Sequence, residues 1–137
     1  LTVITNALNI ALELSDVAHV RLIMLGGMLR PLSRSLVGPD AEHALTRMHA
    51  DRLFLGVDGI DPAIGITTPD PLEAALNAGM IRSASETIAV ADASKLGRRS
   101  LSVIAAVSAV QKLITDQGAA PEQVAALRAQ GLDVTLV

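Results

Sequence analysis

The chain has 137 residues, 50% hydrophobic and 18% charged, with 11 Lys and Arg against 14 Asp and Glu for a formal net charge of −3. That length suits about one domain with a sizeable core, and the hydrophobic content excludes disorder as a description of the whole. The negative balance excludes phosphate neutralisation as a way for these residues to grip nucleic acid, and the lack of cysteine excludes disulfides, thiolate metal sites and thiol catalysis. A reducing compartment is therefore permitted, and the cytoplasm is the expected location. No apolar run approaches the roughly 18–20 residues of a spanning helix, so no membrane partner is expected.

In chain order, apolar β-like runs fall at Leu1 to Thr5, Arg21 to Leu25, Arg52 to Val57, Thr87 to Asp92, Leu101 to Ala106, Lys112 to Thr115 and Asp133 to Val137. Most are rich in Val, Ile and Leu, which suits strands buried on both faces. Between them, helical periodicity appears in Asn6 to Leu14, Pro39 to Met48, Pro71 to Ala84 and Pro121 to Gln130. Pro39, Pro71 and Pro121 stand at helix starts, where the missing N–H costs nothing, and Gly131 reads as a helix stop. The alternation predicts an α/β fold, a mostly parallel open sheet with helices on both faces. No repeat, low-complexity tract or linker interrupts it, so residues 1–137 are read as one domain. The chain opens on Leu1 inside an apolar run, and is read as a fragment.

Ligands in such sheets sit at the carboxyl ends of strands, where helix N-termini favour anions. Thr5 and Asn6 close the first strand and are either an anion contact or an ordinary helix cap. Gly26 and Gly27 follow the second strand and either let a ligand approach the backbone or make a plain turn. Phe54 to Asp61, FLGVDGID, is the most informative stretch: Asp58 and Asp61 flank Gly59 and Ile60 at a strand end. Such a pair suits sugar hydroxyls, acid/base chemistry or a divalent ion, or else a solvated turn. Lys95, just beyond Asp92, is either a counter-charge for a phosphate or a salt-bridge partner of Asp92 or Asp58. Arg98 and Arg99 beside it support an anion or are simply solvated. His19, His43 and His49 form no metal spacing, neither standard nucleotide loop occurs, and there is no nucleophile elbow. The reading therefore names no catalytic residue, no metal and no cofactor.

TNALNIALEL, GGMLR, SLVGPDAEHAL, FLGVDGID followed by GIT, AGMI, VADASKLGRRS and LITD, in that order over essentially the whole chain, resemble the C-terminal effector-sensing domain of the DeoR family of bacterial transcriptional regulators. The resemblance implies a repressor of carbohydrate metabolism with an N-terminal winged helix-turn-helix and a sensor for a phosphorylated sugar, acting as a homo-oligomer. DNA would then be met only through that N-terminal module. The family's sensor carries a further strand and an Asp-Ser-Gly-Thr-Thr-like loop before the segment matched by Leu1 to Thr5, so this chain is expected to lack both.

The same segments are similar to ribose-5-phosphate isomerase, whose fold the resemblance implies. Asp58 to Asp61 is similar to that enzyme's sugar-binding segment, Ala91 to Lys95 to its Asp-x-Ser-Lys strand end, and Glu73 to its catalytic carboxylate. Glu73 is equally an ordinary acidic residue in a helix's first turn. The chain departs from the isomerase in carrying GITTPDP where a lysine-and-glycine loop is expected, which argues for binding without turnover. Implied effector contacts are thus Thr5, Asn6, Gly26, Gly27, Asp58, Gly59, Asp61, Glu73 and Lys95. The alternatives are a sugar-phosphate isomerase and a structural oligomerisation domain.

Overall fold

The computed structural model describes residues 1–137, which form two compact units, Leu1–Met48 and His49–Val137. In the first, β1 (Thr2–Thr5) and β2 (Arg21–Met24) run parallel, Thr2 opposite Arg21 and Thr5 opposite Met24, and α1 (Leu8–Leu14) makes the crossover that a parallel pair requires. A hairpin follows, β3 (Met28–Arg30) antiparallel to β4 (Ser35–Val37), and then α2 (Pro39–Leu45), with Asp40 and Glu42 in its first turn where the helix dipole favours them.

The second unit is built on a four-stranded parallel sheet in the order β11-β10-β8-β5, from β5 (Ala50–Gly56), β8 (Ala84–Val90), β10 (Lys112–Thr115) and β11 (Asp133–Leu136). The sheet is crossed by α3 (Pro71–Arg82) and α4 (Pro121–Ala129). Strand pleating puts Leu55, Ala89, Leu113 and Val134 in one transverse row, and all four are buried in the core with Ile60, Ile66, Val124 and Leu127. Burying each such leucine contributes roughly 2 kcal/mol. A second, antiparallel sheet holds β6 (Gly59–Asp61), β7 (Gly65–Thr68) and β9 (Ser102–Ala105).

Eleven strands are thus present, against seven expected. The α/β class and the mostly parallel sheet stand, with two corrections. The strand expected at Leu101 to Ala106 exists as β9 but lies antiparallel to β7, outside the parallel sheet. Two hairpins, at Met28 to Val37 and Gly59 to Thr68, supply strands outside the expected seven; their arms span three or four residues, too short for an alternating pattern to emerge. Helix α1 starts two residues later than Asn6, because Thr5 and Asn6 commit their side chains elsewhere.

Candidate functional site

In the first unit, the ends of β1 and β2 are occupied by the hairpin's own anchorage. Thr5, only 8% exposed, accepts the backbone N–H of Ala7 on Oγ1 at 3.1 Å. Asn6 donates Nδ2 to the Leu36 carbonyl at 3.0 Å, and its own carbonyl accepts the Leu36 N–H at 2.8 Å. The helix cap is Ala7, without a side-chain bond, so neither Thr5 nor Asn6 fills that position. Gly27 has φ +124°, and a Cβ there would lie 2.5 Å from the Val37 carbonyl oxygen; only glycine lets the chain turn this close to β4. Around Gly26, exposed, a Cβ would meet nothing within 4 Å.

In the second unit, the strand-end residues are brought together by β7 and the start of α3. Thr68, 1% exposed, faces two carboxylates through one hydroxyl: Asp58 Oδ2 at 3.0 Å and Glu73 Oε2 at 3.2 Å. Asp58 is carried there by the end of β5, and Glu73 by the first turn of α3, whose start is fixed by Pro71 and by Asp70, which accepts the Glu73 N–H at 2.9 Å. One hydroxyl proton serves one carboxylate at a time.

Asp61 sits on the same segment but is engaged differently. Its Oδ1 accepts the N–H groups of Ala63 at 2.9 Å and Ile64 at 3.0 Å, and its Oδ2 accepts Arg99 Nε at 2.9 Å. The Arg99 bond outweighs the opposing effect of burial and, with the two backbone donors, holds the Asp61 carboxyl below the usual carboxylate range. Asp61 therefore shapes the turn, and Arg99 is its partner rather than a free member of a basic patch. Gly59 is forced by packing: a Cβ would stand 2.4 Å from the Arg98 carbonyl oxygen and 2.6 Å from Thr67 Oγ1.

The loop after β8 is fastened to this segment. Gly97 N–H donates to the Ile60 carbonyl at 2.8 Å, Leu96 bridges Ile60, and Ser100 N–H donates to Thr67 Oγ1 at 2.9 Å. Lys95 ends the 3₁₀ turn Ala93–Lys95 on that loop and makes no ion pair; Asp92, one of its expected partners, instead accepts the backbone N–H and hydroxyl of Ser94. Ser94 holds the Asp92 carboxyl below the ordinary range. Asp116, at the end of β10, steadies the same turn by accepting the Ala93 N–H at 2.7 Å, which lowers its own carboxyl.

The structure thus joins Asp58 to Glu73 and ties the Lys95 loop to Gly59–Asp61, while Asn6 and Gly27 serve the hairpin and the Thr5 hydroxyl holds the Ala7 N–H at the entry to α1. Sequence reading passed over Thr68 and took Arg99 for an anion contact or a solvated charge rather than the partner of Asp61. The threonine pair in GITT, ahead of a proline-bounded helix, was the available signal for Thr68; nothing in the sequence pairs Arg99 with Asp61. No three His, Asp or Glu side chains are grouped to hold a metal ion, and no helix is long and apolar enough to cross a membrane.

Comparison with known proteins agrees with this architecture. The family model described as the DeoR C terminal sensor domain matches residues 1–117. An uncharacterized HTH-type transcriptional regulator of Bacillus subtilis, YulB, is 40% identical over 137 residues, 100% of this chain and 53% of its own length. The HTH-type transcriptional regulator GlpR of Haloferax volcanii is 39% identical over 82% of this chain and 44% of its own length. The HTH-type transcriptional repressor GlcR of Bacillus subtilis is 38% identical over 85% of this chain and 45% of its own length. The chain spans about half the length of the curated relatives it matches.

Proposed function

The chain belongs to the DeoR C-terminal sensor domain family, and from that premise we propose that both its units form one effector-sensing domain of a transcriptional repressor of carbohydrate metabolism, with a phosphorylated sugar as effector. The observation that carries this reading is the meeting of Asp58 and Glu73 at the Thr68 hydroxyl, on a segment fastened to the loop that bears Lys95. Carboxylates accept sugar hydroxyls, and a lysine without an ion pair attracts a phosphate. Gly59 and Asp61 hold the segment in shape.

The family model spans both units, which supports reading them as one domain. The similarity to an HTH-type transcriptional regulator and an HTH-type transcriptional repressor supports a regulatory rather than enzymatic role. DNA contact then belongs to a module of the whole protein outside these residues, consistent with the net charge of −3. Effector binding regulates DNA affinity only by favouring one state of the protein over another, and the coupling is reciprocal.

Calorimetric titration of phosphosugars tests the proposal: one compound binds saturably, and Asp58→Asn and Lys95→Ala weaken it. The Asp58 and Glu73 pair also fits an isomerase acid/base pair, and interconversion of an aldose phosphate with its ketose phosphate by the purified chain would favour that second reading.

A further inference from the structure

The turn that carries Lys95 is gripped at both ends by the segment running from β10 into α4. Asp116, just beyond β10, accepts the Ala93 N–H on Oδ2 at 2.7 Å, and Gln123, half-buried in the first turn of α4, donates Nε2 to the Leu96 carbonyl at 3.1 Å. Only Ser94 and Lys95 lie between the two tethered residues. Gly97 makes room for the second grip: its φ is +76°, and a Cβ there would stand 2.7 Å from Gln123 Nε2, so the amide lies directly against the chain.

Bonds within the turn hold its shape, Lys95 N–H donating to the Asp92 carbonyl and Leu96 N–H to the Ala93 carbonyl, while the Gly97 bond to Ile60 ties its exit to the segment that follows Asp58. Gln123 adds the tether from α4. A second glutamine, Gln130 at the C-terminal end of α4, donates Nε2 to the Pro62 carbonyl in the turn shaped by Asp61. Each glutamine joins α4 to a loop carbonyl, and of the two only Gln123 bonds to the Lys95 turn, so the pair separates docking of the helix from control of the lysine.

Lysine is a flexible point charge, and its affinity for an anion falls with the freedom that binding takes away; a backbone held in place beforehand reduces that loss. We propose that Gln123 is a positioning residue of the effector site: by holding the Leu96 carbonyl it fixes the turn bearing Lys95 and thereby sets the affinity of the site for a phosphate group. This role rests on Lys95 being the phosphate partner proposed above.

Nuclear magnetic resonance of the 137-residue chain tests it in two ways, with melting curves to check that every variant folds. Gln123→Met keeps the length of the side chain and removes the donor; Gln130→Met does the same at the other end of the helix. Without ligand, amide hydrogen exchange at Lys95, Leu96 and Gly97 is expected to rise about fivefold or more in Gln123→Met and to change by less than about twofold in Gln130→Met, since local opening follows local bonds. In titrations with inorganic phosphate, Gln123→Met is expected to bind about fivefold more weakly, Gln130→Met to stay within about twofold, and Lys95→Ala to lose at least as much as Gln123→Met, because a residue acting through Lys95 cannot contribute more than Lys95 itself. Exchange or phosphate affinity unchanged by Gln123→Met overturns the proposal, as do two glutamine variants that behave alike, or a loss in Gln123→Met exceeding that in Lys95→Ala where Lys95→Ala does weaken binding. Phosphate binding indifferent to Lys95→Ala, or absent from the natural chain, overturns the reading of Lys95 and this role with it.

Discussion

Asp58 and Glu73 meet at a single proton, that of the Thr68 hydroxyl, with oxygen separations of 3.0 and 3.2 Å. The arrangement orients two carboxylates from different elements, the end of β5 and the start of α3.

Replacing that hydroxyl with a methyl separates orientation from charge. Thr68→Val keeps volume and both carboxylates, costs about 1 kcal/mol for the lost hydrogen bond and lowers the melting temperature by a few degrees. Effector affinity in calorimetry falls about tenfold, because Asp58 and Glu73 lose the group that aligns them. Unchanged affinity would show that the hydroxyl serves only the core.

The ion pair of Asp61 and Arg99 predicts an acid-sensitive component of stability. The folded-state pKa of Asp61 is depressed, so its contribution is fully present above the ordinary carboxylate value, about pH 4, and is lost as pH falls through the folded value. Asp61→Asn keeps an oxygen for the Ala63 and Ile64 donors but cannot pair with Arg99 as a charge. Urea unfolding at pH 7 is expected to find the variant less stable, and the gap to the natural protein to narrow as pH falls below about 4. A gap independent of pH would contradict the assignment.

Three glycines differ in what a side chain would meet. Gly59→Ala and Gly27→Ala drive a Cβ into backbone oxygens at 2.4 and 2.5 Å, and each destabilises the fold by roughly 2 kcal/mol or more in thermal or urea unfolding. Gly26→Ala meets nothing within 4 Å and leaves the melting temperature close to that of the natural protein.

The parallel part of the fold was legible because its strands are mostly runs of Val, Ile and Leu and the helices α2, α3 and α4 begin at Pro39, Pro71 and Pro121; burial on both faces did not hold, since β5 buries only Leu55 and β11 only Val134. The hairpins were not legible. GID and MLR are too short to display a period, and their glycines, serines and prolines read as turn. Strand β8 starts at Ala84, earlier than the apolar run from Thr87, because Glu86 is held on the sheet by Arg52 and Lys112 rather than by burial. At the site, Asp58, Glu73 and Lys95 were visible as strand-end and helix-start chemistry. That Asp61 differs from Asp58 was not, since it depends on Arg99 reaching back across the fold.

The central claim is that the second unit's carboxylates and lysine read a phosphorylated sugar. The most direct test titrates phosphosugars, their unphosphorylated counterparts and inorganic phosphate by calorimetry into this chain and into one extended upstream, each with Asp58→Asn and Lys95→Ala variants. The account predicts saturable binding of one phosphosugar, tighter than its unphosphorylated form, that falls sharply in both variants. Absence of saturable binding to either chain, or binding indifferent to Asp58 and Lys95, would contradict it.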